Sequence, residues 1–215
     1  TAHCEELVLC LQQVREWSQR NPRHVPIWIS FNLKDSLITG LPDPHPFTPV
    51  ALELLDERLL AVMGSQLIRP ADVQGLNWPS LEQARGKVLL VLDEGGVKRD
   101  WYYEGWQSRP MFANAPAGHP AAAVMIINDP LKDFERIQRL VKAGYLVRSR
   151  ADADTREARA NDTRRRDQAF ASGAQAISTD YYLPATHFGN DYQVAIEGKV
   201  RCNPILIPEP CSVVE

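Results

Sequence analysis

Residues 121–150, AAAVMIINDPLKDFERIQRLVKAGYLVRSR, read as one strand–helix–strand unit. Ala121 to Asn128 is a continuous apolar run suited to a buried strand. Asp129-Pro130 supplies a helix N-cap and a first helical residue. Phe134, Ile137, Leu140 and Val141 then fall on one helical face up to Gly144, and Tyr145 to Arg150 returns as a second strand. Two strands joined by a helix within 30 residues pair in parallel, through a right-handed crossover.

The alternation extends in both directions. Upstream, Leu7, Cys10, Leu11, Val14 and Trp17 recur at helical spacing between Glu5 and Ser18, and VPIWISFNLK (Val25–Lys34) is apolar enough for a strand covered on both faces. A Pro-rich loop over Thr39–Pro49 leads to a helix capped by Thr48, with Pro49 in its first turn, running to about Met63. A loop rich in Pro, Asp, Gly and Asn leads to the next strand, KVLLVLD (Lys87–Asp93), and a polar, aromatic excursion follows from Glu94 to Pro120, a length typical of functional loops or lids. Downstream, a polar helix is expected from about Asp154 to Ser172, a fifth strand from Ala174 to Asp180, and a Pro-rich tail. The pattern predicts the α/β class, as a barrel of eight such units or an open doubly wound sheet.

Composition narrows the function. The 215 residues are 44% hydrophobic and 24% charged, with formal charge −3, which fits one globular domain and gives no support for nucleic-acid binding. No apolar run approaches the length of a membrane span. No glycine-rich fingerprint follows any strand, so dinucleotide and P-loop sites have little support. Four cysteines form two short-range pairs, Cys4 with Cys10 and Cys202 with Cys211. Disulfides within each pair are expected, with free thiols as the alternative, and oxidised pairs imply export.

Function is therefore sought at the strand ends, since parallel α/β folds place their active sites at the carboxyl ends. Those ends carry Asn32 and Lys34, Asp93 and Glu94, Asn128 and Asp129, Arg148 and Arg150, Ser178 and Asp180. Alternation puts Asn32 with Lys34, Arg148 with Arg150, and Ser178 with Asp180 on shared faces. A lysine and two arginines suit the oxygens of a phosphate group. Ordinary ion pairs with Asp93, Asp129 and Asp180 are the simpler reading.

Gly144 to Tyr182, GYLVRSRADADTREARANDTRRRDQAFASGAQAISTDYY, resembles the last two strand–helix units of the calcium-dependent phosphoinositide-specific phospholipase C family of bacteria and fungi. CLQQVREWSQRNPRHVPIWISFNLKD (Cys10–Asp35), WPSLEQARGKVLLVLD (Trp78–Asp93), MFANAPAGHPAAAVMIINDP (Met111–Pro130) and RCNPILIPEPC (Arg201–Cys211) agree in order. The resemblance implies a TIM-type (βα)8 barrel, of which this chain carries the last five or so units. Residues 1–215 would form a single domain, the C-terminal portion of that barrel.

It also implies a secreted phosphodiesterase that cleaves a phosphoinositide, or another inositol phosphodiester, by histidine acid–base catalysis with a calcium ion. The histidine-bearing strands and most calcium ligands would precede Thr1, so the chain alone is expected to be inactive. Carried onto this sequence, Asn32 is the metal contact, Lys34, Arg148 and Arg150 the phosphate and inositol contacts, and Asp180 the group that orients the general base. His3, His24, His45, His119 and His187 are scattered, with loop or surface roles expected. Asp154 is read as a helix cap and Arg164, Arg165 and Arg166 as a solvated face. Trp101, Tyr102, Tyr103 and Trp106 pack within their loop or touch a membrane transiently. A glycerophosphodiesterase-like enzyme and a non-catalytic head-group-binding segment are the competing readings.

Overall fold

The computed structural model describes residues 4–198 and 200–207. The chain divides into two compact units, Thr1–Ala123 and Val124–Glu215, and every strand pair is parallel.

In the first unit, α1 (Leu7–Arg20) leads to β1 (Ile27–Phe31), α2 (Pro49–Met63), β2 (Leu67–Ile68), β3 (Val88–Leu92), α3 (Gly96–Tyr103) and β4 (Met111–Ala113). β1 pairs with β3 along its whole length, so β2 and β4 share the other edge of β3, one after the other. All five residues of β3 are buried, whereas β1 is half-buried. The coverage of β1 on both faces expected from its apolar run is thus not met: Ser30 is exposed and accepts from the Trp28 indole at 2.8 Å. A disulfide joins Cys4 to Cys10 at the start of α1. The second expected pair reaches Cys211, which lies outside the described residues, as does His3.

Local signals fix the ends of these elements. The Thr48 hydroxyl caps α2 by accepting from Ala51 N–H at 3.2 Å, with Pro49 at the first helical position. At the turn into β3, Gly86 has φ +71°, and a Cβ there would stand 2.7 Å from the Pro22 carbonyl oxygen, so only glycine fits. On α2 the buried stripe is Leu52, Asp56, Leu59 and Met63, one carboxylate among apolar side chains. Asp56 accepts from the buried Tyr102 hydroxyl at 2.7 Å and from Arg109 at 2.9 Å. Burial pushes its carboxyl upward against the pull of these two donors, and burial beside Asp56 raises the Tyr102 phenol well above its usual value.

The second unit runs β5 (Val124–Ile126), α4 (Phe134–Lys142), β6 (Leu146–Arg150), α5 (Arg156–Ala160), α6 (Arg164–Ala171) and β7 (Ala176–Ser178). Its sheet has the order β5-β6-β7. Tyr181, Tyr192, Ala151, Ala158 and Ala185 form a small core against which Phe170 and Phe188 pack.

Five expectations are corrected. The excursion after Asp93 holds α3 and the buried strand β4, and the loop before Lys87 holds β2. The helix after Asp129-Pro130 starts at Phe134; Asp129 instead caps the preceding turn, accepting from Leu131 N–H at 3.2 Å. The polar helix is two helices, broken where Asn161 turns left-handed at φ +49° and Asp162 accepts from the N–H of Arg164. Asp154 caps no helix among the described residues: it is itself left-handed, at φ +58°, with Thr155 at the N-cap position.

Tyr102→Phe is expected to cost about 1–3 kcal/mol, since Asp56 loses a buried donor. Arg109→Met is expected to cost about 3–5 kcal/mol, since it leaves a buried charge uncompensated. Urea unfolding of both variants measures the two losses, and a Tyr102→Phe protein as stable as the parent would contradict the role given to Asp56.

Candidate active site

The carboxyl ends of β5, β6 and β7 converge on a polar network in the second unit. Arg148 and Arg150 lie on one face of β6, alternating with buried Val147 and Ser149. The Arg148 guanidinium donates to Asn128 Oδ1, beyond the end of β5, at 2.6 Å. Arg150 is exposed, in register with Ser178 on β7, two residues before the exposed Asp180. Behind these, Asp152 is buried: the Thr179 hydroxyl and the Asp180 N–H (3.1 Å) both donate to its carboxylate. Burial pushes the Asp152 carboxyl up against those two donors, and the charges of Asp180 and Glu157 add to the rise.

Arg165 departs from the solvated face expected of the three consecutive arginines. Its side chain is only 13% exposed, with Nε 2.8 Å from Glu157, and the guanidinium lies 3.3 Å from Asp129. It also donates to the Asn128 carbonyl at 3.2 Å. Burial alone would raise the Glu157 carboxyl, but the Ala153 N–H and Arg165 together bring it below its ordinary value. Asp129 therefore has an ion-pair partner in Arg165.

In the first unit, Asn32 and Lys34 are exposed on either side of buried Leu33, just beyond β1. The chain tightens there, with the Lys34 N–H donating to the Asn32 carbonyl at 3.1 Å. Glu94, after β3, accepts from the Leu33 N–H at 2.5 Å. Lys98, in the first turn of α3, donates to the Leu33 carbonyl and to Asp35, each at 2.5 Å, and lies 5.5 Å from the Phe47 ring centroid. Asp35 also accepts from the Phe47 N–H at 3.0 Å. The Lys98 bond, followed by that N–H, holds the Asp35 carboxyl below its usual value. Sequence reading passed over both Lys98 and Asp35. The available signal was a lysine in a first helical turn, which the helix dipole disfavours unless a carboxylate answers it.

The candidate residues thus fall into two sets, Asn32 with Lys34 in the first unit and Arg148, Arg150 and Asp180 in the second. Neither Lys34 nor Arg150 has a carboxylate partner among the described residues. Among the histidines, His24 bonds Ser18 Oγ at 2.7 Å, His119 stacks on Tyr103 and His187 packs on Phe188. Tyr102 is fully buried, so the aromatic run packs within the fold at that residue.

Calcium prefers six to eight oxygen ligands, several of them carboxylate. Among the described residues no three His, Cys, Asp or Glu side chains gather as a metal site. Near Asn32 in the fold, the Glu94 carboxylate is taken by a backbone N–H and the Asp35 carboxylate by Lys98. These residues do not on their own fit a calcium ion.

A family model, Phosphoinositide phospholipase C, Ca2+-dependent, matches residues 1–204. The chain belongs to that family, a family of phosphodiesterases. No curated protein matches the sequence. Among solved structures, a calcium-dependent phosphoinositol-specific phospholipase C from the Gram-negative bacterium Pseudomonas sp., in an apo form with myo-inositol, is 20% identical with TM-score 0.52 over 71% of this chain and 61% of its own. A second crystal form of the Pseudomonas enzyme gives 20% identity and TM-score 0.52, over 69% and 59%. A calcium-dependent phosphatidylinositol-specific phospholipase C from Streptomyces antibioticus is 17% identical with TM-score 0.58, over 85% and 72%. The chain therefore spans about three fifths of the length of the Pseudomonas structures. At these identities the likeness is one of fold, the α/β TIM-type barrel, of which this chain carries a part.

Asp152 holds its proton more tightly in the folded chain than in the unfolded one. Its contribution to stability is complete below the unfolded value of 3.8 and is lost as pH rises through the raised folded value. Asp152→Asn cannot ionise, so between about pH 4 and about pH 7 the Tm difference between variant and parent should shift in favour of the variant. An identical difference at both pH values would show that the carboxyl titrates normally.

Proposed function

We propose that this chain supplies the phosphate- and inositol-recognising part of a calcium-dependent phosphoinositide phospholipase C, and is inactive without the rest of the barrel. The observation that carries the reading is the pair of arginines on one face of β6, at the carboxyl end of a parallel sheet, with Arg148 donating to Asn128 Oδ1. A guanidinium presents a planar fork of donors that suits the oxygens of a phosphate. Arg148 and Arg150 bind the phosphodiester and the adjacent inositol hydroxyls; Lys34, in the first unit, is a separate exposed cation suited to an anionic group.

Asp180, its backbone fixed by Asp152, orients the general-base histidine carried elsewhere in the barrel. Asn32 offers calcium one neutral oxygen, with the carboxylate ligands coming from outside the described residues. The protein is exported, a reading supported by the Cys4–Cys10 disulfide; no described helix is long and apolar enough to cross a membrane.

The substrate is taken from a lipid surface. Support comes from the loops that follow the carboxyl ends of strands in each unit. After β1, Leu37, Ile38 and Leu41 are 74%, 62% and 60% exposed; after β7, Tyr182 and Leu183 are 70% and 63% exposed. Large apolar side chains this open are suited to the boundary between head groups and acyl chains.

Two measurements on the full-length protein test this. Arg148→Ala should lower turnover of phosphatidylinositol about a hundredfold through loss of a transition-state charge contact, and unchanged turnover would end the assignment. Leu37→Asp with Ile38→Asp should weaken binding to phosphatidylinositol vesicles at least about tenfold while sparing cleavage of a soluble inositol phosphodiester. Equal losses on both substrates would mean that the loop shapes the site and does not dock it.

A further inference from the structure

A cleft of about 850 Å³ opens beside β2 in the first unit, within the size range of small-molecule sites. It lies at the amino end of β3: Lys87 on its wall immediately precedes that strand, and β2 pairs only with Val88 and Leu89. Asn32 and Lys34 follow the other end, where Phe31 meets Leu92.

The wall is rich in hydrogen-bond donors. Lys87 Nζ donates to the Ser65 carbonyl at 2.7 Å, which leaves two of its three protons for a ligand. The Arg69 guanidinium donates to the Ser108 carbonyl at 2.6 Å, while its Nε is buried with no acceptor among the described residues. Gln83 accepts from the Ser80 N–H through Oε1 at 2.9 Å, so its amide NH2 remains to donate. Neither Lys87 nor Arg69 is ion-paired among the described residues. The one carboxylate on the wall, Asp72, accepts from the Arg69 backbone N–H at 2.8 Å.

Two cations against one acid on the wall suit an anionic group. The rest of the wall is mixed: Ser65 and Asn77 are polar, and Trp78 offers a flat aromatic ring. Trp78 is half-buried, backed by Phe112 of β4 at 5.3 Å between ring centroids, and Leu60 and Pro79 flank it.

We propose that this cleft binds a small molecule bearing one phosphate or carboxylate group on a ring or other flat apolar body, with the anion on Lys87 and Arg69 and the body against Trp78. It is a site separate from the strand ends, and it does not depend on the function proposed above.

Calorimetric titration of the full-length protein with phenyl phosphate, benzoate, inorganic phosphate and phenol tests it. Phenyl phosphate should bind at least about tenfold more tightly than inorganic phosphate or phenol, because only it carries both anion and ring. A comparable gain for benzoate over phenol would identify the anion as any carboxylate or phosphate, and no gain would identify it as phosphate. Lys87→Gln and Arg69→Lys, each with an unchanged melting temperature, should weaken phenyl phosphate about tenfold, whereas Arg148→Ala should not. Affinity kept in both cleft variants, or lost in Arg148→Ala alone, overturns the proposal.

Discussion

Val88–Leu92 runs with five consecutive side chains buried and neighbours along both edges, and the first unit is organised to keep it so. A parallel strand cannot be reached by a tight turn, so each neighbour arrives through a crossover that must cover a face on its way. The covering helix α2 brings an aspartate into its buried stripe, and that aspartate needs Tyr102 and Arg109 to be tolerable. Those partners lie on α3 and just before β4. The segment after β3 is therefore tied down by a polar requirement of the helix before it, and β4 follows into place against the free edge of β3.

What the sequence makes legible is whatever a segment determines by itself. Thr48-Pro49 states a helix start in its own chemistry, and LVRSR between Gly144 and a polar stretch states a strand. β2 and β4 state nothing of the kind. Two and three residues long, they are strands only because β3 has an edge to pair, and MFA has no periodicity to read. The break in the polar helix is intermediate: Asn161 and Asp162 are residues suited to a left-handed end and a fresh cap, but solvent-exposed polar sequence carries no stripe to show that the axis changes.

The same distinction governs the site. That strands end in Asn32, Lys34, Arg148, Arg150 and Asp180 is visible residue by residue. That Asp152 is buried beneath Asp180 is not, because its burial is conferred by Thr179 and the backbone 28 residues further on. Lys98 belongs with Asp152: its partner lies 63 residues back, across a proline-rich loop.

The cations at the strand ends then divide by what their partners leave them able to do. Lys98 and Arg165 are largely covered and bonded to carboxylates, and withdrawing either to meet a ligand would strand a partly buried negative charge. They hold loops in place: Lys98 ties the chain after β1 to α3, and Arg165 ties α6 to α5 and to the end of β5. Arg150 and Lys34, by contrast, are open to solvent. Within each unit, then, the covered pairs fix the loops that follow the strands, and the exposed cations, Lys34 in the first and Arg150 in the second, are left to solvent.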